Sequence, residues 1–253
     1  MKNVMYLIFL IFFTFNCSSN LNEGSTEETL TGSYSRLLIK NDFLYAINNS
    51  DLATYDVSDK MIPVLIDKQD VGFNIENIYI SDDIIFIGSS QRLFIYEIKS
   101  TGIPVRKNSV AYFAEIMCSA DPVIVSNNIA YITLSSVSID NGNCWRSSDL
   151  NELRIYDVTK VENPKLLSTF PMSNPKGLAI DNNILFVCEL DKGVKILDVS
   201  DKSKPVLIRS LEGFYAYDVI VKNKILYVVG KDEIQEFDFA NIDDIHMISN
   251  ISL

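Results

Sequence analysis

Branched and aromatic apolar residues run through this chain in short bursts, each broken by a polar pair. LLIKNDFLYAI begins at Leu37, IYISDDIIFIG at Ile78, VIVSNNIAYIT at Val123, LAIDNNILFVC at Leu178 and VIVKNKILYVV at Val219. The breaks fall at Asn41-Asp42, Asp82-Asp83, Asn127-Asn128, Asn182-Asn183 and Asn223-Lys224. Asn and Asp tolerate φ > 0, which a two-residue hairpin requires. The flanks carry few charges, which suits strands buried on both faces. Each phrase is therefore predicted to be a hairpin.

A second phrase follows each first one: DLATYDVSDKMIPVLI from Asp51, RLFIYEIKSTGIPVRK from Arg92, ELRIYDVTKVENPKLL from Glu152, GVKILDVSDKSKPVLI from Gly193 and EIQEFDFANIDDIHMI from Glu233. An acid stands at the same place in all five, as Asp56, Glu97, Asp157, Asp198 and Asp238. Seven residues on comes Pro63, Pro104, Pro164 or Pro205, with Ile245 in the last copy. Successive acids lie 41, 60, 41 and 40 residues apart, the 60 reflecting an insertion in the third copy. No segment sustains a 3.6-residue apolar period, so little helix is expected. Four short strands per copy at a period near 41 predict an all-β chain, a five-bladed β-propeller. A blade that is apolar on both faces cannot bury itself alone, and stacking around an axis covers every face. Ring closure has two routes: Glu28 to Tyr34 supplies an outer strand to the last blade, or, since Met247 to Leu253 already reads as that strand, the ring closes by face contacts alone.

The two phrases resemble the LVIVD repeat family, whose members form β-propellers and are common among secreted bacterial proteins. The resemblance covers Leu37 to about Ile251. It is closest from Gly177 to Leu207, with Val194 to Asp198 at the name-giving motif, and the fifth copy departs by lacking the proline. It implies an architecture and leaves the biochemistry open, because propellers host many functions.

The first residues, MKNVMYLIFLIFFTFN, place Lys2 before an apolar run from Val4 to Phe15. Twelve residues are too few for a bilayer, which needs about 20, and suit a signal peptide over 1–16. Cys17 follows directly and resembles a lipobox cysteine, although Thr14, Phe15 and Asn16 replace the usual Leu and small residues. The resemblance implies lipidation at Cys17, and the other reading is an ordinary signal peptide. Residues 17–33 read as a lipidated cysteine and flexible tether, and 34–253 as the propeller. Ser18 is not the Asp of an inner-membrane retention signal, so the expected address is the bacterial outer membrane. The membrane partner is then reached through the lipid.

Charge narrows the partners. The chain has a net charge of −11 with a single histidine. Phosphate contacts need clustered Lys and Arg, so nucleic acid is not an expected partner. His246 has no Ser or Cys motif near it, and no glycine-rich phosphate loop appears. No catalytic, metal or cofactor site is expected. The recurrent acid precedes a turn, where it accepts backbone N–H bonds. Acidic loops at Asp51, Asp191, Asp232 and Glu233 lack Ca²⁺-ligand spacing and read as solvated.

Cys188 sits mid-strand and reads as a buried small residue. Cys118 falls in the connection into the third blade and Cys144 in that blade's insertion, Ser135 to Leu150. Both connections emerge on one face, and an exported protein meets an oxidising compartment, so a Cys118–Cys144 disulfide is predicted. The alternative is two free thiols. The same face collects Phe73, Tyr112, Phe113, Trp145, Phe214 and Tyr215. The rings can cap the seams between blades or anchor a partner. Phe73, Tyr112, Trp145, Arg146 and Tyr215 are the candidate contacts for an unknown protein or glycan. The expected function is non-enzymatic binding at the envelope. The rivals are a metal-dependent sugar or lactone hydrolase at the central channel and a structural subunit of an envelope assembly.

Overall fold

The computed structural model describes residues 33–112, 122–135 and 151–253. Their strands form five antiparallel sheets of four, and each sheet takes its strands in sequence order. Blade 1 holds β1 (Leu37–Lys40), β2 (Phe43–Ile47), β3 (Asp51–Asp56) and β4 (Val64–Asp70). Blade 2 holds β5 (Ile75–Ser81), β6 (Ile84–Ser89), β7 (Arg92–Ile98) and β8 (Pro104–Ala111). Blade 3 holds β9 (Val123–Ser126), β10 (Ile129–Leu134), β11 (Glu152–Asp157) and β12 (Lys165–Pro171). Blade 4 holds β13 (Leu178–Asp181), β14 (Ile184–Cys188), β15 (Val194–Asp198) and β16 (Val206–Leu211). Blade 5 holds β17 (Asp218–Lys222), β18 (Ile225–Val229), β19 (Glu233–Asp238) and β20 (His246–Ser252). The fold is the five-bladed β-propeller that the repeats predict, with no helix among the described residues.

Local chemistry explains the elements. The first turn residue has positive φ in every copy, at Asn41, Asp82, Asn127, Asn182 and Asn223, and the second does so at Asn128 and Lys224. The carboxylates of Asp56, Asp157, Asp198 and Asp238 each accept the backbone N–H two residues on. Glu97, one methylene longer, pairs instead with Lys99 and Lys107 at 2.5 and 3.2 Å. Between the third and fourth strands of all five blades the register shifts at one equivalent place, as at Thr54/Tyr55 and Ile155/Tyr156. That repeated irregularity gives each blade the same twist.

Four apolar clusters fill the seams between consecutive blades. Leu38, Tyr45 and Leu52 meet Ile78, Ile85 and Phe94 between blades 1 and 2. Phe86, Leu93 and Ile95 meet Val123, Ala130 and Ile132 between blades 2 and 3. Ile124, Tyr131 and Leu153 meet Leu178, Leu185 and Val187 between blades 3 and 4. Phe186, Val194 and Ile196 meet Val219, Leu226 and Phe237 between blades 4 and 5. Among the described residues no such cluster joins blade 5 to blade 1. Residues 247–252 fall in β20, the outermost strand of blade 5, so that place is filled by the blade's own chain. The two ends meet near the axis instead. Ser33 donates its hydroxyl to Asp218 at 2.7 Å, and Tyr34 stacks on Tyr217 at 4.8 Å. Closure by broad face contacts is not what forms among these residues: a narrow polar and aromatic latch takes its place.

Candidate functional site

Two regions carry polar or aromatic groups beyond what the blades need: the axis, and the face formed by the connections between second and third strands and between blades. These connections share a face, since Val71 and Gly72 donate to the Ser50 carbonyl and Ile75 to that of Asn49.

At the axis, residues at or near the start of the inner strands converge on Ser33. The Ser33 hydroxyl also accepts the Leu178 N–H at 3.0 Å, and the Ser33 carbonyl accepts Asn77 Nδ2 at 2.7 Å. That Asn77 nitrogen donates further to the Val123 carbonyl. One residue thus joins blades 2, 4 and 5, and although the tether was expected to run to residue 33, Ser33 is buried. Gly177 makes this possible, because a Cβ there would lie 2.0 Å from the Asp218 carboxylate. Lys176 is buried beside it and donates to Ser135 Oγ at 2.8 Å.

Burial shifts the acids at this mouth. Desolvation raises Asp218 above the usual carboxylate range, against the lowering effect of the Ser33 hydroxyl and nearby backbone N–H groups. Desolvation also raises Glu76, opposed by Arg36 and Lys176. The Tyr34 phenol is pushed well up by burial. The Cys188 thiol is raised by burial too, in line with its reading as a core residue. Sequence reasoning missed Ser33, Glu76, Lys176 and Asp218. The available signal was a polar residue directly before some of the apolar phrases, as Asn77 before IYIS and Asp218 before VIVK, whereas Pro122 and Gly177 hold that place in blades 3 and 4.

On the connection face, Phe73 stands 70% exposed next to Gly72. Tyr215 is half-buried, with Lys231 Nζ 4.6 Å from its ring centre. Tyr112 departs from the expected contact set. Its ring is 5% exposed and belongs to the cluster between blades 2 and 3, because a large apolar ring in that seam gains more from burial than from solvent. Phe214 likewise packs at 5.2 Å against Phe237 in the next seam. Cys17, Phe113, Cys118, Cys144, Trp145 and Arg146 lie outside the described residues. The acidic loops are tied locally: Asp51 pairs with Lys68 at 3.0 Å and Glu233 accepts Gln235 and Asn250. His246 is exposed at the start of β20. Among the described residues, no three His, Cys, Asp or Glu side chains gather as metal ligands.

A distinct cavity of about 540 Å³ opens between blades 4 and 5. Its walls include Arg209, Glu212, Phe214, Gln235, Phe237 and Met247.

Residues 174–212 match the LVIVD repeat family, the copy in which the repeat phrase is clearest. No curated protein matches the chain. Solved structures share the fold at low identity. A functionally unknown protein from Desulfotomaculum acetoxidans is 12% identical at a TM-score of 0.67, covering 86% of this chain and 69% of its own. The periplasmic gluconolactonase of Pseudomonas aeruginosa is 11% identical at 0.66, covering 84% and 68%. AztD of Citrobacter koseri is 14% identical at 0.58, covering 85% and 61%. These likenesses establish the propeller and no chemistry.

Proposed function

We propose that this protein is a non-enzymatic binding module of the bacterial cell envelope, lipid-anchored through Cys17 to the outer membrane and presenting its connection face to a protein or glycan. The carrying observation is Phe73, a large ring held out to solvent on a rigid scaffold. Exposed aromatics of this kind are over-represented where partners dock. Tyr215 with its Lys231 neighbour extends the same face, and Trp145 and Arg146 belong to it on the sequence reading. Ser33 ties blades 2, 4 and 5 together at the axis, which favours the face over the channel as the docking surface. A Cys118–Cys144 disulfide would fix the insertion that carries Trp145.

The test is recovery of partners from solubilised membranes. Phe73→Ala and Trp145→Ala are each expected to reduce capture at least tenfold while the fold survives. Unchanged recovery with both would remove the proposal. Palmitate labelling that persists in Cys17→Ala would remove the anchor.

One observation favours a second reading, a sugar or lactone hydrolase. Glu76 and Asp218 both sit at the axis with raised carboxyls, as a general acid requires. Lactone hydrolysis abolished by Asp218→Asn in a folded protein would favour it over the first.

A further inference from the structure

The loop-side grooves of successive blades are not equivalent, and the difference lies in one cation. In blade 2, Arg106 on β8 lies over the Phe94 ring at 4.8 Å and that of Tyr96 at 5.4 Å. Its guanidinium donates to the carbonyl of Val71 in the preceding connection. In blade 3, Arg154 on β11 donates at 2.8 Å to the carbonyl of Tyr112, the equivalent residue of the next connection. In blade 4, the residue in register with Arg154 is Lys195, paired with Glu189 at 2.9 Å. Blades 2, 3 and 4 thus each hold an engaged cation at one of these two positions, and blade 1, with Ala53 and Leu65 there, holds none.

Blade 5 lacks the cation as well, and unlike blade 1 it has a preceding blade packed against it. Gln235 stands where blade 3 has Arg154, and Met247 where blade 2 has Arg106. What remains is the 540 Å³ cavity, large enough for a small ligand. Gln235 is 8% exposed, and its amide is oriented by donation to Glu233 at 2.7 Å. That leaves its Oε1 buried without a partner. A buried acceptor without a donor is costly, so a donor supplied there would be stabilising. Phe214 and Phe237 supply rings in place of Phe94 and Tyr96, and exposed Glu212 supplies a carboxylate at the rim. The one cation in the lining, Arg209, is engaged with the Asp243 carbonyl.

We propose that the cavity between blades 4 and 5 binds a guanidinium group, carried by an arginine side chain that this chain does not itself provide. The guanidinium would donate to Gln235 Oε1, lie against Phe237 and Phe214, and face Glu212, repeating with an outside group what Arg106 and Arg154 do within the molecule. The site stands independently of whether Phe73 contacts a partner.

The test is calorimetric titration of the full protein with N-acetyl-arginine methylamide, against its neutral citrulline counterpart. Saturable binding of the arginine compound is expected with a Kd of about 1 mM or below, and at least tenfold weaker binding of the citrulline one. Glu212→Gln, an exposed substitution, should weaken the arginine compound at least threefold. Gln235→Arg should place a tethered guanidinium in the cavity, abolish the titration and raise Tm. Equal binding of both compounds, no binding at millimolar concentration, or undiminished binding to Gln235→Arg would each overturn the assignment. Loss of partner capture by the Phe73 variant, with this titration intact, would bear on the connection face alone.

Discussion

Blades 1 and 3 begin with inner strands of one kind, LLIK and VIVS, yet the two meet different surroundings. Val123 and Val125 face blade 2 and are 0% and 4% exposed, whereas Leu37 and Ile39, at the same positions, are 60% and 53% exposed. Leu38 and Ile124, on the opposite side of each strand, are equally buried. The difference is therefore one of neighbours and not of residue type. Four seams are dry apolar interfaces, and the fifth relies on the Ser33–Asp218 and Tyr34–Tyr217 contacts. Blade 5 agrees with this: Glu236 occupies the position where Ile95, Ile155 and Ile196 are fully buried against the following blade. A carboxylate belongs on a face that water reaches, so the last repeat is adapted as an end repeat.

The largest test of that inequality is a cavity. Leu153→Ala, inside the seam between blades 3 and 4, should cost about 2–5 kcal/mol. Ile234→Ala, its counterpart on the outer face of blade 5, should cost under about 1 kcal/mol, since that side chain already meets water. Denaturant unfolding with a shared slope reads both values, and similar losses would deny the distinction.

The latch comes next. Ser33→Ala leaves the Leu178 N–H and the Asp218 carboxylate without the hydroxyl, at a cost of about 1–3 kcal/mol. Its pH behaviour is also fixed in sign. Burial raises Asp218 in the fold, so its stabilising contribution is complete below the ordinary Asp value of 3.8 and is lost as pH rises through the folded value. Wild type should therefore lose Tm relative to Asp218→Asn across that interval, with a constant difference on either side. A constant difference throughout would place Asp218 in solvent.

The turn carboxylates should have the smallest effect and the opposite sign. Hydrogen bonds from the Thr159 and Ser200 residues hold Asp157 and Asp198 below 3.8. Their contribution is present above that value and fades as pH falls through the lower folded one. Asp198→Ala should lower Tm by less than Ser33→Ala does, and should flatten the acid limb of the melting curve slightly.

The legible part of the molecule was local. Asn182-Asn183 sets a hairpin because its φ requirement acts over two residues, and Asp198 fixes a turn by reaching Ser200. Repetition of those signals five times sufficed for the blades and the propeller. The axis was not legible, since Ser33 and Asp218 are 185 residues apart and neither belongs to a repeated phrase. Tyr112 shows the same limit: an aromatic in a connection reads alike whether it points outward, as Phe73 does, or into a seam. The cavity between blades 4 and 5 depends on which strand supplies a cation to which neighbour. That register appears only once β19 and β20 are paired.

The most direct measurement is a pair of melting curves. Replacing Val123 and Val125 together by serine should unfold the protein or lower its Tm by about 10 °C or more, because two buried aliphatic groups are lost from a dry seam. Replacing Leu37 and Ile39 together by serine should shift Tm by no more than about 3 °C. Comparable losses from the two pairs would mean that blades 5 and 1 pack face to face like the others, and the latched ring would have to be given up.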